Sequence, residues 1–328
     1  MGNYKIVITE SDYEDDLVEK EILEPIGCEI VRLNSREETI LKKALQDADG
    51  VLFQWAHLTE PVIHAMSRCR VLAKYATGID GVDLSAATEK NICVTNVPDY
   101  CTEEVSDHTC AMLLSLARGI KLHDSNIRRG IYDYHAAKAL PDLRRGILGI
   151  VGFGRISRSV IQKMKPFCGE IWVCSRASTE EILAVAGLKK TFDEVIKNAD
   201  YLSIHVPGNK ETYHQFNKTV FLNMKPGACL VNVARGSVIC EEDLVEALRT
   251  GQVGFAALDV FEVEPLPQSS PLKRLENVVL SPHAGWYSCS SQRLLQRKAA
   301  EQVRAVLEGR RPEYLVNQEV AKHVFHPK

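Results

Sequence analysis

The 328-residue sequence predicts an α/β protein built from two parallel-sheet domains. Three observations carry that expectation. The chain is longer than one typical domain of roughly 100–200 residues. Short β-rich runs alternate with helical patterns across short connections, the signature of parallel strands covered by helices. The layout is also used twice, once before residue 100 and again after a long helical segment.

The first set of strands is predicted at residues 4–9 (YKIVIT), 28–33 (CEIVRL), 51–55 (VLFQW), 70–75 (RVLAKY) and 92–96 (ICVTN). Amphipathic helical patterns such as 37–48 and 60–68 separate them. Residues 102–120 read as one long helix, started by Thr102 with Glu104 and Val105 and ending near Gly119. A βαβ unit then opens at residues 146–151, and further strands follow at 201–206, 229–233, 255–260 and 277–281. A final helix over 290–308 is stopped by Gly309 and Pro312.

Composition excludes several classes of function. With 45% apolar and 25% charged residues and a net charge of −3, nothing favours nucleic acid or an anionic membrane as partner. The first residues enter a strand-like run at once, so no signal peptide is expected, and no apolar run nears the ~20 residues that span a bilayer. The ten cysteines include no C-x-x-C pair, and Cys93, Cys174 and Cys229 lie inside apolar runs. Reduced thiols, no metal and a cytoplasmic location are the expectation.

The βαβ unit carries the first chemistry. Gly152 and Gly154 follow its strand, where glycines allow a tight turn and let a pyrophosphate approach the amides at a helix N-terminus. Ser157 stands where the fingerprint has its third glycine, a small residue that the helix–strand contact can tolerate. The second strand ends in Cys174, Ser175 and Arg176, where an NAD site usually places an acid to hold the ribose hydroxyls. Ser175 can donate to a 2′-phosphate and Arg176 can pair with it, so NADP(H) is favoured and NAD(H) is possible. The unit is Rossmann-like.

Three later strand ends carry the rest. Arg235 follows the strand at 229–233; Asp259, Glu262 and Glu264 follow the next; His283 follows the last. Carboxyl ends of parallel strands line a ligand crevice, so the three stretches are expected to converge there. A guanidinium clamps a carboxylate and polarises the neighbouring ketone, and an imidazole donates the proton to the forming alkoxide. A carboxylate beside that imidazole fixes its tautomer and favours its protonated form. Hydride transfer to a 2-ketoacid is the chemistry that fits.

The run from Asn232 to Pro267, NVARGSVICEEDLVEALRTGQVGFAALDVFEVEPLP, resembles the D-isomer-specific 2-hydroxyacid dehydrogenase family, as do KYATGIDGVDLSAA and PHAGWYS. PHAGWYS and NVPDYCTEEVSDHT look most like the subgroup that holds the C-terminal-binding proteins, NAD(H)-dependent corepressors. The resemblance implies that Arg235, Glu264 and His283 are catalytic. It implies cofactor contacts at Phe153, Gly154, Arg155 and Ile156, at Ser175 and Arg176, and at His205, Val206, Pro207 and Thr212. Val233, Ala234, Asp259 and Gly285 complete that set. For the substrate it implies Gln54, Lys74, Ala76, Thr77 and Gly78, whose loop amides hold the carboxylate, with Arg235, His283 and Trp286. It further implies a flavodoxin-like substrate domain of residues 1–99 plus 288–328 and a Rossmann domain of residues 100–287. The active site would lie in the cleft between the domains, in a homodimer formed through the cofactor domain.

A nucleotide-sensing scaffold is the rival function, since the corepressors keep the same catalytic residues. A chain ending at residue 328 without a long disordered tail speaks against it. Trp286, three positions after His283, suits an aliphatic or thioether tail on the substrate better than a second anion.

Overall fold

The computed structural model describes residues 4–136 and 142–325, which divide into two compact units. The first unit comprises residues 1–101 and 288–328, and the second residues 102–287.

In the first unit, β1 (Tyr4–Ile8), β2 (Cys28–Arg32), β3 (Gly50–Phe53), β4 (Val71–Lys74) and β5 (Cys93–Thr95) form one parallel sheet in the order β2-β1-β3-β4-β5. The register places Ile6 beside Ile30 on one side and Gly50 on the other. Four helices connect these strands: α1 (Leu17–Leu23), α2 (Glu38–Ala44), α3 (Glu60–Ala65) and α4 (Leu84–Glu89). The central strands β3 and β4 and the short β5 are buried at every residue, which is why they read as largely apolar runs without alternation, whereas the edge strand β2 buries only Cys28.

The second unit begins with α5 (Thr102–Arg118). The single helix expected to residue 120 is in fact a pair, because Gly119 adopts a left-handed conformation (φ 58°) and α6 (Ile120–Arg128) starts anew beyond it. Glycine alone pays no steric penalty there, so a residue that reads as a terminator is a joint. The sheet contains β6 (Ile147–Val151), β7 (Glu170–Cys174), β8 (Leu188–Lys189), β9 (Tyr201–Ile204), β10 (Ala228–Asn232), β11 (Val253–Leu258) and β12 (Val278–Leu280). Its order is β12-β11-β10-β9-β6-β7-β8, all parallel. The order reverses between β6 and β9, the switch point at which such sheets bind ligands. Helices α7 (Arg155–Met164), α8 (Thr179–Leu183), α9 (Phe192–Asn198), α10 (Lys218–Asn223) and α11 (Glu241–Thr250) complete the unit. Two apolar clusters fill it: one gathers Leu202, Leu230 and Ala256, the other Met112, Val160, Ile150 and Val231.

The chain re-enters the first unit as α12 (Cys289–Leu307), opened by a Ser288 capping box and closed by Gly309 in the left-handed region (φ 75°). Its buried face, including Leu295, Ala299 and Val303, completes that unit's core. All ten cysteines are free thiols, and only Cys289 is exposed. Among the described residues, no helix is long and apolar enough to cross a membrane.

Candidate active site

At the switch point, Gly152 has φ 103°, and a Cβ there would stand 2.4 Å from the carbonyl oxygen of His205. Backbone contact between the ends of β6 and β9 therefore excludes any side chain. Gly154 differs. Its backbone is extended (φ −100°, ψ −165°), and a Cβ would meet no protein atom within 4 Å. Packing within the protein does not explain a glycine at this place, which opens onto unfilled space at the N-terminus of α7 beside Arg155 and Ile156. Ser157 is buried and folds its hydroxyl back onto the Gly154 carbonyl at 3.1 Å, so the missing third glycine leaves no clash. The Phe153 ring lies under the Arg158 guanidinium at 4.0 Å.

Past β7, Ser175 Oγ accepts the Ala177 amide at 3.0 Å, which leaves its own proton to donate, and Arg176 is exposed. Past β9, His205 Nε2 lies 2.9 Å from Ser203 Oγ, and burial pushes the imidazole down to about 4. Val206 is half-buried and Pro207 exposed; Thr212 closes the loop by donating to the Pro207 carbonyl at 2.5 Å.

The strand ends carrying Arg235, Glu264 and His283 belong to β10, β11 and β12, which are neighbours in the sheet. Each presentation has a local cause. Buried Asn232 accepts the Ala234 amide at 3.0 Å and donates to the Arg235 carbonyl at 2.9 Å, shaping the turn after Val233. Gly236 presses on the next strand end: a Cβ there would lie 1.8 Å from the carbonyl carbon of Phe261. Phe261 in turn donates its amide to Glu264 Oε1 at 2.9 Å, and Glu264 Oε2 lies 2.7 Å from His283 Nδ1. Burial alone would raise the Glu264 carboxyl, but the His283 hydrogen bond and charge, the Phe261 amide and the Arg235 guanidinium hold it below its ordinary range. A carboxylate only accepts, so Nδ1 carries a proton and Nε2 is the atom that exchanges one.

The other two acids after β11 do different work. Glu262 bonds His214 Nε2 and the Glu241 amide. Asp259 is buried and receives Ser281 Oγ at 2.5 Å and the amides of Ala284 and Gly285, each at 2.9 Å. Burial opposes its ionisation, yet His108, Ser281 and these amides keep it a carboxylate. The sequence reading missed Asn232, Ser281 and His108; the first ends an apolar strand with an amide, a local cue, while His108 offers none. Trp286, half-buried, stands edge-on to Tyr287 with ring centroids 5.8 Å apart.

The first unit places its candidates on one loop and beside it. Val97 donates its amide to the Ala76 carbonyl at 2.9 Å, and Asn96 donates to the Thr77 carbonyl at 2.6 Å. Thr77 is exposed and Gly78 half-buried. Buried Lys74 ties the far end of that loop by donating to the Asp80 carbonyl. Buried Gln54 accepts the Asp12 amide at 2.9 Å.

Residues 110–285 match the family model for the NAD-binding domain of D-isomer specific 2-hydroxyacid dehydrogenases. The chain is 34% identical over 316 residues to the D-3-phosphoglycerate dehydrogenase of Methanocaldococcus jannaschii, covering 95% of this chain and 59% of that protein. It is 36% identical over 298 residues to the glyoxylate reductase of Thermofilum pendens, covering 88% of this chain and 86% of the relative. Among solved structures, it resembles the NADPH-dependent glyoxylate/hydroxypyruvate reductase of Sinorhizobium meliloti in complex with NADP and malonate. That match has a TM-score of 0.84 and 27% identity, and covers 100% of this chain and 99% of the other.

Proposed function

The chain belongs to the D-isomer-specific 2-hydroxyacid dehydrogenase family, NAD(P)-dependent oxidoreductases of 2-hydroxy acids, and from that premise we propose that it reduces small 2-ketoacids with NADPH in preference to NADH. The observation that carries this reading is the 2.7 Å contact between Glu264 and His283, with Arg235 on the adjoining strand end.

The space above Gly154 fits a dinucleotide pyrophosphate, held by the amides of Arg155 and Ile156. Ser175 and Arg176 would take the 2′-phosphate, and His205 to Thr212 with Val233, Ala234 and Gly285 would flank the rest of the cofactor. The bound nicotinamide supplies the hydride. Arg235 pairs with the substrate carboxylate and polarises the ketone; His283 delivers its Nε2 proton to the alkoxide oxygen as charge develops there. Glu264 holds the ring and stabilises the imidazolium before transfer. In the oxidative direction His283 takes the proton back.

Thr77, Gly78 and Lys74 would bind the substrate from the first unit, with Gln54 beside them. Trp286 would face its tail, an indole that favours an apolar chain and offers a phosphate no countercharge. A panel of glyoxylate, hydroxypyruvate, phosphohydroxypyruvate and 2-ketoacids of four to six carbons, assayed with both cofactors, tests the proposal. The longer 2-ketoacids with NADPH should show the highest kcat/KM. Tenfold higher kcat/KM with NADH would refute the cofactor preference, and efficient turnover of phosphohydroxypyruvate would refute the apolar pocket.

A homodimer completes the reading. Ile120 (57% exposed), Ile127 (56%) and Ile131 (44%) leave apolar surface on and just after α6, followed by exposed Tyr132 and Tyr134. We propose that this patch packs against the same patch of a second copy, which would cover it. Light scattering should give twice the chain mass, and Ile120→Glu with Ile127→Glu should give the monomer; an unchanged mass in that variant would assign the contact elsewhere.

A further inference from the structure

His283, the proposed proton donor, is presented on strained backbone. It sits in the left-handed region with φ 54°, where a non-glycine residue persists only if its surroundings hold it. The hold comes largely from Asp259. Its main-chain carbonyl accepts the His283 amide at 2.8 Å, and its carboxylate accepts the Ala284 and Gly285 amides and Ser281 Oγ. Four bonds thus fasten residues 281–285 to one buried residue.

One more side chain enters this cluster, from far along the chain. His108 projects from α5, and its Nε2 lies 3.0 Å from Ser281 Oγ and 3.5 Å from Asp259 Oδ1. A serine hydroxyl has one proton, and at 2.5 Å from a carboxylate oxygen the Ser281 hydroxyl must donate it there. His108 Nε2 therefore faces a lone pair and carries the hydrogen itself. The result is a directed chain, from His108 to Ser281 to Asp259. The ring also closes over the loop: a Cβ on Gly285 would meet His108 Cδ2 at 3.4 Å.

We infer that His108 is a positioning residue for reduction, which donates from Nε2 to Ser281 and so holds the strained loop that presents His283. The inference deepens the reductase reading and rests on it for its kinetic arm only. Without the donor, the lone pair of Ser281 is left unsatisfied against an apolar side chain, and the Ser281–Asp259 pair loses the group that holds it from the α5 side. The loop is then fastened less tightly, and the backbone at His283 relaxes from its left-handed conformation. His283 Nε2 would shift relative to the substrate, whereas the space above Gly154 would be untouched.

Two variants separate the donor from the volume: His108→Leu fills the space without donating, and His108→Gln keeps an N–H at similar reach. His108→Leu should lower kcat roughly 10- to 100-fold, the scale of a reacting group misplaced by about 1 Å. Its KM for the 2-ketoacid should stay within about twofold of the parent, as expected when only the transition-state contact is lost. His108→Gln should recover most of kcat. Ser281→Ala should reproduce most of the loss, and adding His108→Leu to it should cost less than His108→Leu costs alone, because the two residues share one chain to Asp259. Amide exchange in the ligand-free protein gives a readout independent of turnover: His283, Ala284 and Gly285 should exchange faster in His108→Leu and Ser281→Ala than in the parent. If the parent turns over no 2-ketoacid, the reductase reading fails while exchange still decides the role of His108. Unchanged exchange in both variants overturns the inference. So does a kcat for His108→Leu within twofold of the parent, or a His108→Gln variant as impaired as His108→Leu.

Discussion

Replacing Gly154 and Gly152 by alanine one at a time separates a glycine kept for a ligand from one kept for the fold. At Gly154 the backbone is extended, so alanine adopts it without strain, and its methyl meets no protein atom within 4 Å. Restricting the unfolded chain stabilises by about 0.4–1 kcal/mol, while alanine is a poorer helix N-cap than glycine by a comparable amount. The two offset, and Tm should move by no more than about 3 °C. The methyl would, however, occupy the space assigned to the pyrophosphate. Weakening one charge-assisted hydrogen bond of about 1.5–3 kcal/mol corresponds to a roughly 10- to 100-fold loss of NADPH affinity. Gly152→Ala behaves oppositely: its φ of 103° is strained for alanine, and its Cβ falls about 1 Å short of ordinary contact with the His205 carbonyl. It should melt several degrees lower with or without cofactor. Calorimetric titration with NADPH and thermal denaturation of both variants decide the matter. A Gly154→Ala protein that binds NADPH as tightly as the parent, or that melts as low as Gly152→Ala, refutes the assignment of that space to the cofactor.

Glu264→Gln should shift the alkaline fall-off of reduction to lower pH. The Glu264 carboxyl is held below its ordinary range, so it is ionised throughout the neutral region, and the amide removes the negative charge that lies 2.7 Å from His283 Nδ1. A pH–rate profile superimposable on the parent's would dissociate Glu264 from His283. Arg235→Lys should lower kcat/KM for 2-ketoacids about 100-fold, because a point ammonium cannot reproduce the bidentate fork; a loss below threefold would remove Arg235 from carboxylate binding. Ser175→Asp should move the NADPH/NADH preference about tenfold toward NADH, a change of about 1.4 kcal/mol read from paired kcat/KM values. No change in the ratio would show that the tip of β7 does not select the cofactor.

The layout of this protein was legible because local pattern reports burial and backbone preference. Apolar runs marked the strands, Gly152 and Gly154 marked the turn after β6, and the residues just past β10, β11 and β12 named the candidates for chemistry. The distribution of work among those candidates required the tertiary structure. Spacing alone leaves three acids after β11 equivalent. The close approach of Gly236 to Phe261 and the bond from Phe261 to Glu264 turn Glu264 toward His283, while Glu262 goes to His214 and Asp259 inward. Gly119 looks like a helix end in sequence and is a joint between two helices, because α6 resumes the helical pattern at once. The longest-range case is His108, which meets Ser281 across 173 positions. Periodicity records which face of an element is apolar over a few turns. It holds no record of a hydrogen bond between one helix residue and a distant loop, which exists only once the sheet has set its strand order and brought α5 against it.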